Sequence, residues 1–306
     1  MKQKEKILTT SWDILIVLDA CRYDFFKNNY KDFLSGELSC VYTEGKNTAD
    51  FINNLLDKSF KDVVYVSTSP WINSKGIGPL KVNRFVHSVV DLWDTSWNSE
   101  FGTVLPSEVS KHSKEIIGQN QGKRVIIHYM QPHEPYINFV TTLDKKLNIS
   151  NTDVKNRNWS IFTKYLRVFK PVLTKFMPYI YRSYLFTTNY FDIKKVFFKF
   201  LYKMGLVGTG PGSVVLCLGN EGLKKEYRKN LRLALREVRS LLDRMNLKGK
   251  KVVITGDHGE LLGESYEYGH CSSQSGKDFG PIRLFDPSQS INHPTLHKVP
   301  WLEIKQ

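Results

Sequence analysis

The sequence predicts an α/β fold, and three observations predict it. Strand-length apolar runs recur along the chain and end in polar side chains suited to a ligand site. A segment with 3.6-residue apolar periodicity, 226–245, leads straight into one of these runs. With 306 residues, 41% of them hydrophobic, the chain can bury one large core, or one core plus a small lobe.

The element most informative about chemistry is Lys251-Val-Val-Ile-Thr-Gly-Asp-His-Gly-Glu260. Val252, Val253 and Ile254 form a β-branched run that reads as a buried strand. Asp257 and His258 follow where that strand stops, and Gly256 and Gly259 let the backbone turn tightly around them. In open α/β sheets the carboxyl ends of strands face the ligand crevice. A carboxylate beside an imidazole there suggests a divalent metal, set against the plainer reading of a strand and a polar turn.

In chain order, Ile14 to Leu18 has the same shape and ends at Asp19. Two strands that deliver acids to one sheet edge build a cation site; an N-cap is the ordinary alternative for Asp19. Residues 45–48 read as a loop and 49–56 as a helix, which puts Thr48 at or near the helix start. The hydroxyl there can cap the helix, or, beside a metal, become a nucleophile. Val63 to Ser67 reads as a strand and 83–99 as helix and loop, with Trp93 and Trp97 packing. Residues 124–136 give a third strand and a polar turn. Pro132 and Pro135 hold His133 rigidly, while His128 inside the strand reads as core. Val214 to Leu218 reads as a short strand or packing segment after a glycine-rich connector, and 299–304 as a closing strand.

Residues 157–203 differ in character, with ten basic residues against one acid, Asp192, and fifteen interleaved aromatics. They read as helices whose basic stems cover the surface, or as an insertion that docks on an anionic membrane or acidic polymer. Formal net charge is +14, which favours anionic partners. None of the usual sequence-specific nucleic-acid modules is present. The four cysteines show no metal-ligand spacing and read as reduced thiols. No apolar h-region follows the charged N-terminus and no apolar window spans a bilayer. The expected location is cytoplasmic, with peripheral membrane contact through 157–203 as an option.

Taken in order, Leu18-Asp-Ala-Cys-Arg-Tyr-Asp24, Met130-Gln-Pro-His-Glu-Pro-Tyr136, Thr255-Gly-Asp-His-Gly-Glu-Leu-Leu-Gly-Glu264, Tyr268-Gly-His270 and Val299-Pro-Trp301 resemble the alkaline phosphatase superfamily, in its sulfatase-like branch. The resemblance implies a three-layer sandwich with a mostly parallel central sheet. It implies a single domain over 1–306, carrying a basic aromatic helical insertion at 140–212. It implies one or two divalent ions, zinc or manganese before calcium or magnesium, held by Asp19, Asp257, His258 and the nucleophile hydroxyl. Thr48 is the expected nucleophile, with Ser67 or Thr68 as the fallback. His133 and His270 fall at positions that hold a second metal or the anionic oxygens of the substrate. Gln131 stands where many relatives carry an acid, which weakens a second metal site. The absence of a Cys-x-Pro-x-Arg motif shifts the expectation from sulfate esters to phosphate esters. The expected activity is hydrolysis or transfer through a covalent phospho-enzyme. The alternative is a catalytically degenerate member that binds an anionic polymer or membrane surface.

Overall fold

The computed structural model describes residues 1–56, 60–76, 80–147, 210–264, 267–270 and 293–305. The chain divides into two compact units. The first comprises 1–135, 227–261 and 292–306, and the second 136–226 and 262–291. Residues 157–203, with most of the expected insertion, lie outside the described residues, so the insertion stays a proposal.

The described helices are α1 (Gln3–Thr9), α2 (Tyr23–Lys27), α3 (Thr48–Leu55), α4 (Leu92–Thr95), α5 (Pro106–Gln119), α6 (Ile137–Leu147), α7 (Pro211–Asp243) and α8 (Pro294–His297). The strands are β1 (Ile14–Leu18), β2 (Gly36–Tyr42), β3 (Val63–Ser67), β4 (Ser88–Asp91), β5 (Trp97–Asn98), β6 (Thr103–Val104), β7 (Arg124–Tyr129), β8 (Val252–Gly256), β9 (Leu261–Leu262), β10 (Tyr268–Gly269) and β11 (Lys298–Ile304).

The first unit is built on a seven-stranded sheet in the order β2-β11-β8-β1-β7-β3-β4. The β8-β1, β1-β7, β7-β3 and β3-β4 pairs are parallel, and β11 runs antiparallel to both β2 and β8. The central strands β1, β8 and β3 are buried along their whole length, which is why they read as continuous apolar runs and not as alternating ones. Successive side chains point to opposite faces. Ile14, Ile16 and Leu18 join one core cluster with Val109 and Ile117 of α5 and Leu231, Leu235, Val238 and Leu241 of α7. Leu15 and Val17 join the other, with Ile7 of α1 and Phe51, Ile52 and Leu55 of α3. Helices therefore cover both faces, giving the three-layer α/β arrangement expected from the sequence.

Three local readings change. Segment 83–99 holds the short helix α4, as expected, but also the edge strand β4, paired with β3, and β5. Its Ser-Val-Val-Asp run is too short to announce itself by period. Val214 to Leu218 is helical: it belongs to α7, whose backbone breaks helical geometry at Gly219 (φ 72°). A five-residue apolar run fits strand and buried helix equally, and the fold chose the helix. Trp97 is exposed, while Trp93 packs against the core.

In the second unit, Tyr136, Phe139, Val140, Val214, Val215 and Leu223 are buried. Asn138 donates to Glu226 at 2.9 Å, and the Tyr268 hydroxyl to Asn220 at 2.7 Å. The short strands β9 and β10 pair with each other. Among the described residues no helix is long and apolar enough to cross a membrane.

Candidate active site

The site follows from the register of the central strands. Leu18, the last residue of β1, lies level with Gly256 of β8 and Tyr129 of β7. The next residues, Asp19 and Asp257, leave the same carboxyl edge side by side. Gly256 is needed for this closeness: a Cβ there would lie 2.8 Å from the Cys21 carbonyl oxygen. Gly259 is needed for the return, since its Cβ would lie 2.0 Å from the Thr295 carbonyl oxygen.

Asp19, Asp257 and His258 are buried, and each offers a ligand atom within 4.8 Å of the others. His258 Nε2 lies 3.4 Å from Asp19 Oδ1 and 3.5 Å from Asp257 Oδ2. His258 Nδ1 meets the Gly259 carbonyl at 2.8 Å, so Nδ1 carries the proton and Nε2 faces the carboxylates. Asp19 Oδ1 has no hydrogen-bond partner among the described residues. Two carboxylates and an imidazole nitrogen aimed at one point, with Asp19 Oδ1 accepting no hydrogen bond among the described residues, form a donor set suited to a divalent cation. Asp19 caps no helix, since the residue at the start of α2 is Arg22.

Thr48 comes to this cluster from a different direction. It is the first residue of α3, and Asn47 does the capping, its side chain accepting from the Asp50 N–H at 2.9 Å. The Thr48 hydroxyl is thereby released from the helix and donates to Asp257 Oδ2 at 2.8 Å. The two alternative hydroxyls are engaged with backbone: Ser67 donates to the Ser69 carbonyl at 3.0 Å and Thr68 to the His128 carbonyl at 2.8 Å.

Asp257 is the hub. Its Oδ1 accepts from the N–H groups of Ala20 and His258, both at 2.9 Å. Burial alone would raise its pKa, but the His258 and His128 rings and the Ala20 N–H hold it below the usual carboxylate range. Burial likewise works against a charged His258, and Asp257 and Asp19 more than reverse that, raising it to about 10. His133 follows the end of β7, and its N–H donates to the Asp19 carbonyl at 3.2 Å. Burial opposes its charge, and Asp19, Glu260 and Glu134 together raise it to about 9. His270 follows β10 in the second unit and is half-buried. Gln131 is turned away, donating to Thr103 Oγ1 at 3.2 Å.

Four supporting residues escape sequence reasoning. His128 is buried, as its strand position suggests, but it also lies 3.6 Å from Asp257 Oδ2 and meets the Tyr65 hydroxyl at 2.8 Å. Gln3 reaches from α1 to Thr255 Oγ1 at 2.8 Å and the Gly256 carbonyl at 2.6 Å. Asn230 on α7 donates to the carbonyls of His133 and Pro135 at 3.1 and 3.0 Å. Tyr227 on α7 bonds to Ala20 and Arg22. The one signal available was a polar side chain on the apolar face of a predicted helix, which Tyr227 and Asn230 both are.

No family model matches the sequence, and no curated protein matches it. Among solved structures, the lipooligosaccharide phosphoethanolamine transferase A of Neisseria meningitidis, an integral membrane protein, is similar at 12% identity. Its TM-score is 0.47, with 96% of this chain and 48% of that one covered, so the chain spans about half its length. The C-terminal periplasmic domain of EptC from Escherichia coli, in complex with zinc, is similar at 10% identity and a TM-score of 0.49. There 95% of this chain and 71% of that one are covered. A phosphonate monoester hydrolase of Silicibacter pomeroyi is similar at 10% identity and a TM-score of 0.42, covering 96% and 68%. By name these are two phosphoethanolamine transferases and a phosphonate monoester hydrolase.

Proposed function

We propose that this chain is a metal-dependent phosphoryl-transfer enzyme of the alkaline phosphatase superfamily, in its sulfatase-like branch. One observation carries the reading: a hydroxyl at the start of α3 and three ligands from two neighbouring strand ends meet within hydrogen-bonding and coordinating distance. Asp19, Asp257 and His258 Nε2 would hold a divalent cation, zinc or manganese, with Thr48 Oγ1 completing the set. Such an ion lowers the pKa of a neighbouring hydroxyl and draws charge from phosphoryl oxygens. Thr48 Oγ1 would then attack phosphorus in line, its proton passing to solvent as the bond to the ester oxygen breaks and that oxygen leaves, protonated from solvent; the Asp257 carboxylate stays charged and holds the hydroxyl in place. The resulting phosphothreonine is resolved by water or by an acceptor hydroxyl. His133, and by the resemblance His270, would bind the remaining phosphoryl oxygens. The surplus of basic residues draws anionic esters towards the chain.

The test is hydrolysis of nitrophenyl phosphate mono- and diesters, with Mn²⁺ or Zn²⁺ added and then removed by chelation. Turnover is expected only with metal, and Asp257→Ala is expected to abolish it. Turnover that persists in Asp257→Ala removes the mechanism.

A further inference from the structure

The segment that follows β1 carries Asp19 and then turns back over the end of β8. It turns through Ala20, whose φ of 57° lies in the left-handed region. An alanine seldom adopts that conformation, and it persists only where surrounding groups hold it. One of those groups belongs to the candidate site, Asp257 Oδ1, which accepts from the Ala20 N–H at 2.9 Å; the strand end β7 supplies another, the Tyr129 carbonyl, which accepts from the Asp19 N–H at 3.0 Å. On its outer side the turn is bonded by Tyr227, a side chain from far along the sequence, while the Arg22 guanidinium reaches the Glu260 carbonyl at 3.1 Å. The Tyr227 hydroxyl donates to the Ala20 carbonyl at 2.6 Å and accepts from the Arg22 N–H at 2.9 Å. Tyr227 is fully buried, and its ring meets Phe25 edge-on at 5.0 Å, so the hydroxyl has one fixed place. Burial pushes its pKa well up, which keeps the phenol a donor.

We infer that Tyr227 is a positioning residue: its hydroxyl bridges the backbone on either side of Cys21 and thereby sets the Asp19 carboxylate at ligand distance from Asp257 and His258. The inference rests on the reading of that trio as a metal site. Coordination tolerates displacements of only a few tenths of an ångström, whereas a backbone turn freed on one side moves by more. The effect of the hydroxyl therefore falls on metal affinity beyond its effect on stability.

The experiment compares Mn²⁺ dissociation constants of the full chain and its variants by titration calorimetry, with melting of the chelated proteins alongside. Tyr227→Phe keeps the ring and its packing, and is expected to weaken Mn²⁺ binding by about 10- to 100-fold. Ser110→Ala is the structural control, since it deletes a buried hydroxyl bonded to the Tyr129 hydroxyl and the Glu237 carbonyl, both at 2.8 Å, with no bond to the turn. It is expected to lower the melting temperature by a similar amount and leave Mn²⁺ affinity unchanged. In Tyr227→Phe combined with Ala20→Gly, glycine takes up the left-handed turn unaided, so part of the lost affinity should return. Equal Mn²⁺ affinity in wild type and Tyr227→Phe overturns the inference while leaving the metal site standing, and so does a double variant that recovers nothing. If the wild type binds no Mn²⁺, or Asp257→Asn binds it as well as wild type, the metal reading itself fails and the inference with it.

Discussion

Asn47 and Thr48 are neighbours in the chain with separable jobs, and exchanging each for alanine tests that separation. Asn47 caps α3 through the Asp50 N–H, and Thr48 points its hydroxyl at Asp257 Oδ2, 2.8 Å away. Asn47→Ala removes a cap, which costs about 1 kcal/mol. Thr48→Ala removes a hydrogen bond to a charged group, which costs about 1.5 kcal/mol, the low end of the range because the pair is only part-buried and Asp257 keeps its other donors. At roughly 2–4 °C per kcal/mol for a domain of this size, melting falls by about 2–4 °C for the first and 3–6 °C for the second. The two variants are therefore close in stability. In turnover they should part widely: loss of a nucleophile lowers kcat by on the order of 10³-fold or more, about 4 kcal/mol of transition-state stabilisation. Asn47→Ala should stay within about tenfold of wild type. The assay is metal-supplemented nitrophenyl phosphate hydrolysis, corrected for folded fraction, and mass spectrometry of quenched reactions should find the added phosphoryl group on the peptide containing Thr48. Wild-type-like turnover in Thr48→Ala, or equal losses in both variants, would refute the assignment of the nucleophile.

Two further outcomes are expected. In chelator, His258 is raised to about 10 from an ordinary value near 6.5, by Asp257 and Asp19 acting against burial. The folded chain thus binds the proton more tightly than the unfolded one, so this contribution is complete below about pH 6.5 and is lost as pH rises towards 10. Chelated protein should lose stability across that window, and metal binding should release a proton there, visible as a buffer-dependent calorimetric heat. Asn230→Ala frees the carbonyls around His133, with a cost of about 1–3 kcal/mol. If His133 binds phosphoryl oxygens, the variant should raise KM more than it lowers kcat; an unchanged KM would detach His133 from the substrate.

The sequence by itself determined the parts whose signals are local. The runs that became β1, β3, β7 and β8 are apolar because both faces of a central strand are buried, and polar residues begin at the carboxyl edge of the sheet. Asp19 and the Asp257-His258 pair are legible for that reason, as is the amphipathic part of α7. Tertiary structure alone decided the partnerships. Nothing local marks β2 as the strand that pairs antiparallel with β11, because its side chains are mostly half-exposed and show no clean period. Nothing local tells Thr48 from Ser67 or Thr68. Which of these hydroxyls meets Asp257 appears only when Asn47 takes the cap and a carboxylate 209 positions later receives the Thr48 hydroxyl. Gln3, Tyr227 and Asn230 are polar side chains whose partners are backbone groups in remote turns. Hydrogen-bonding partners of that kind are set by which surfaces the packed core brings together, and a one-dimensional pattern of apolar residues carries no record of them.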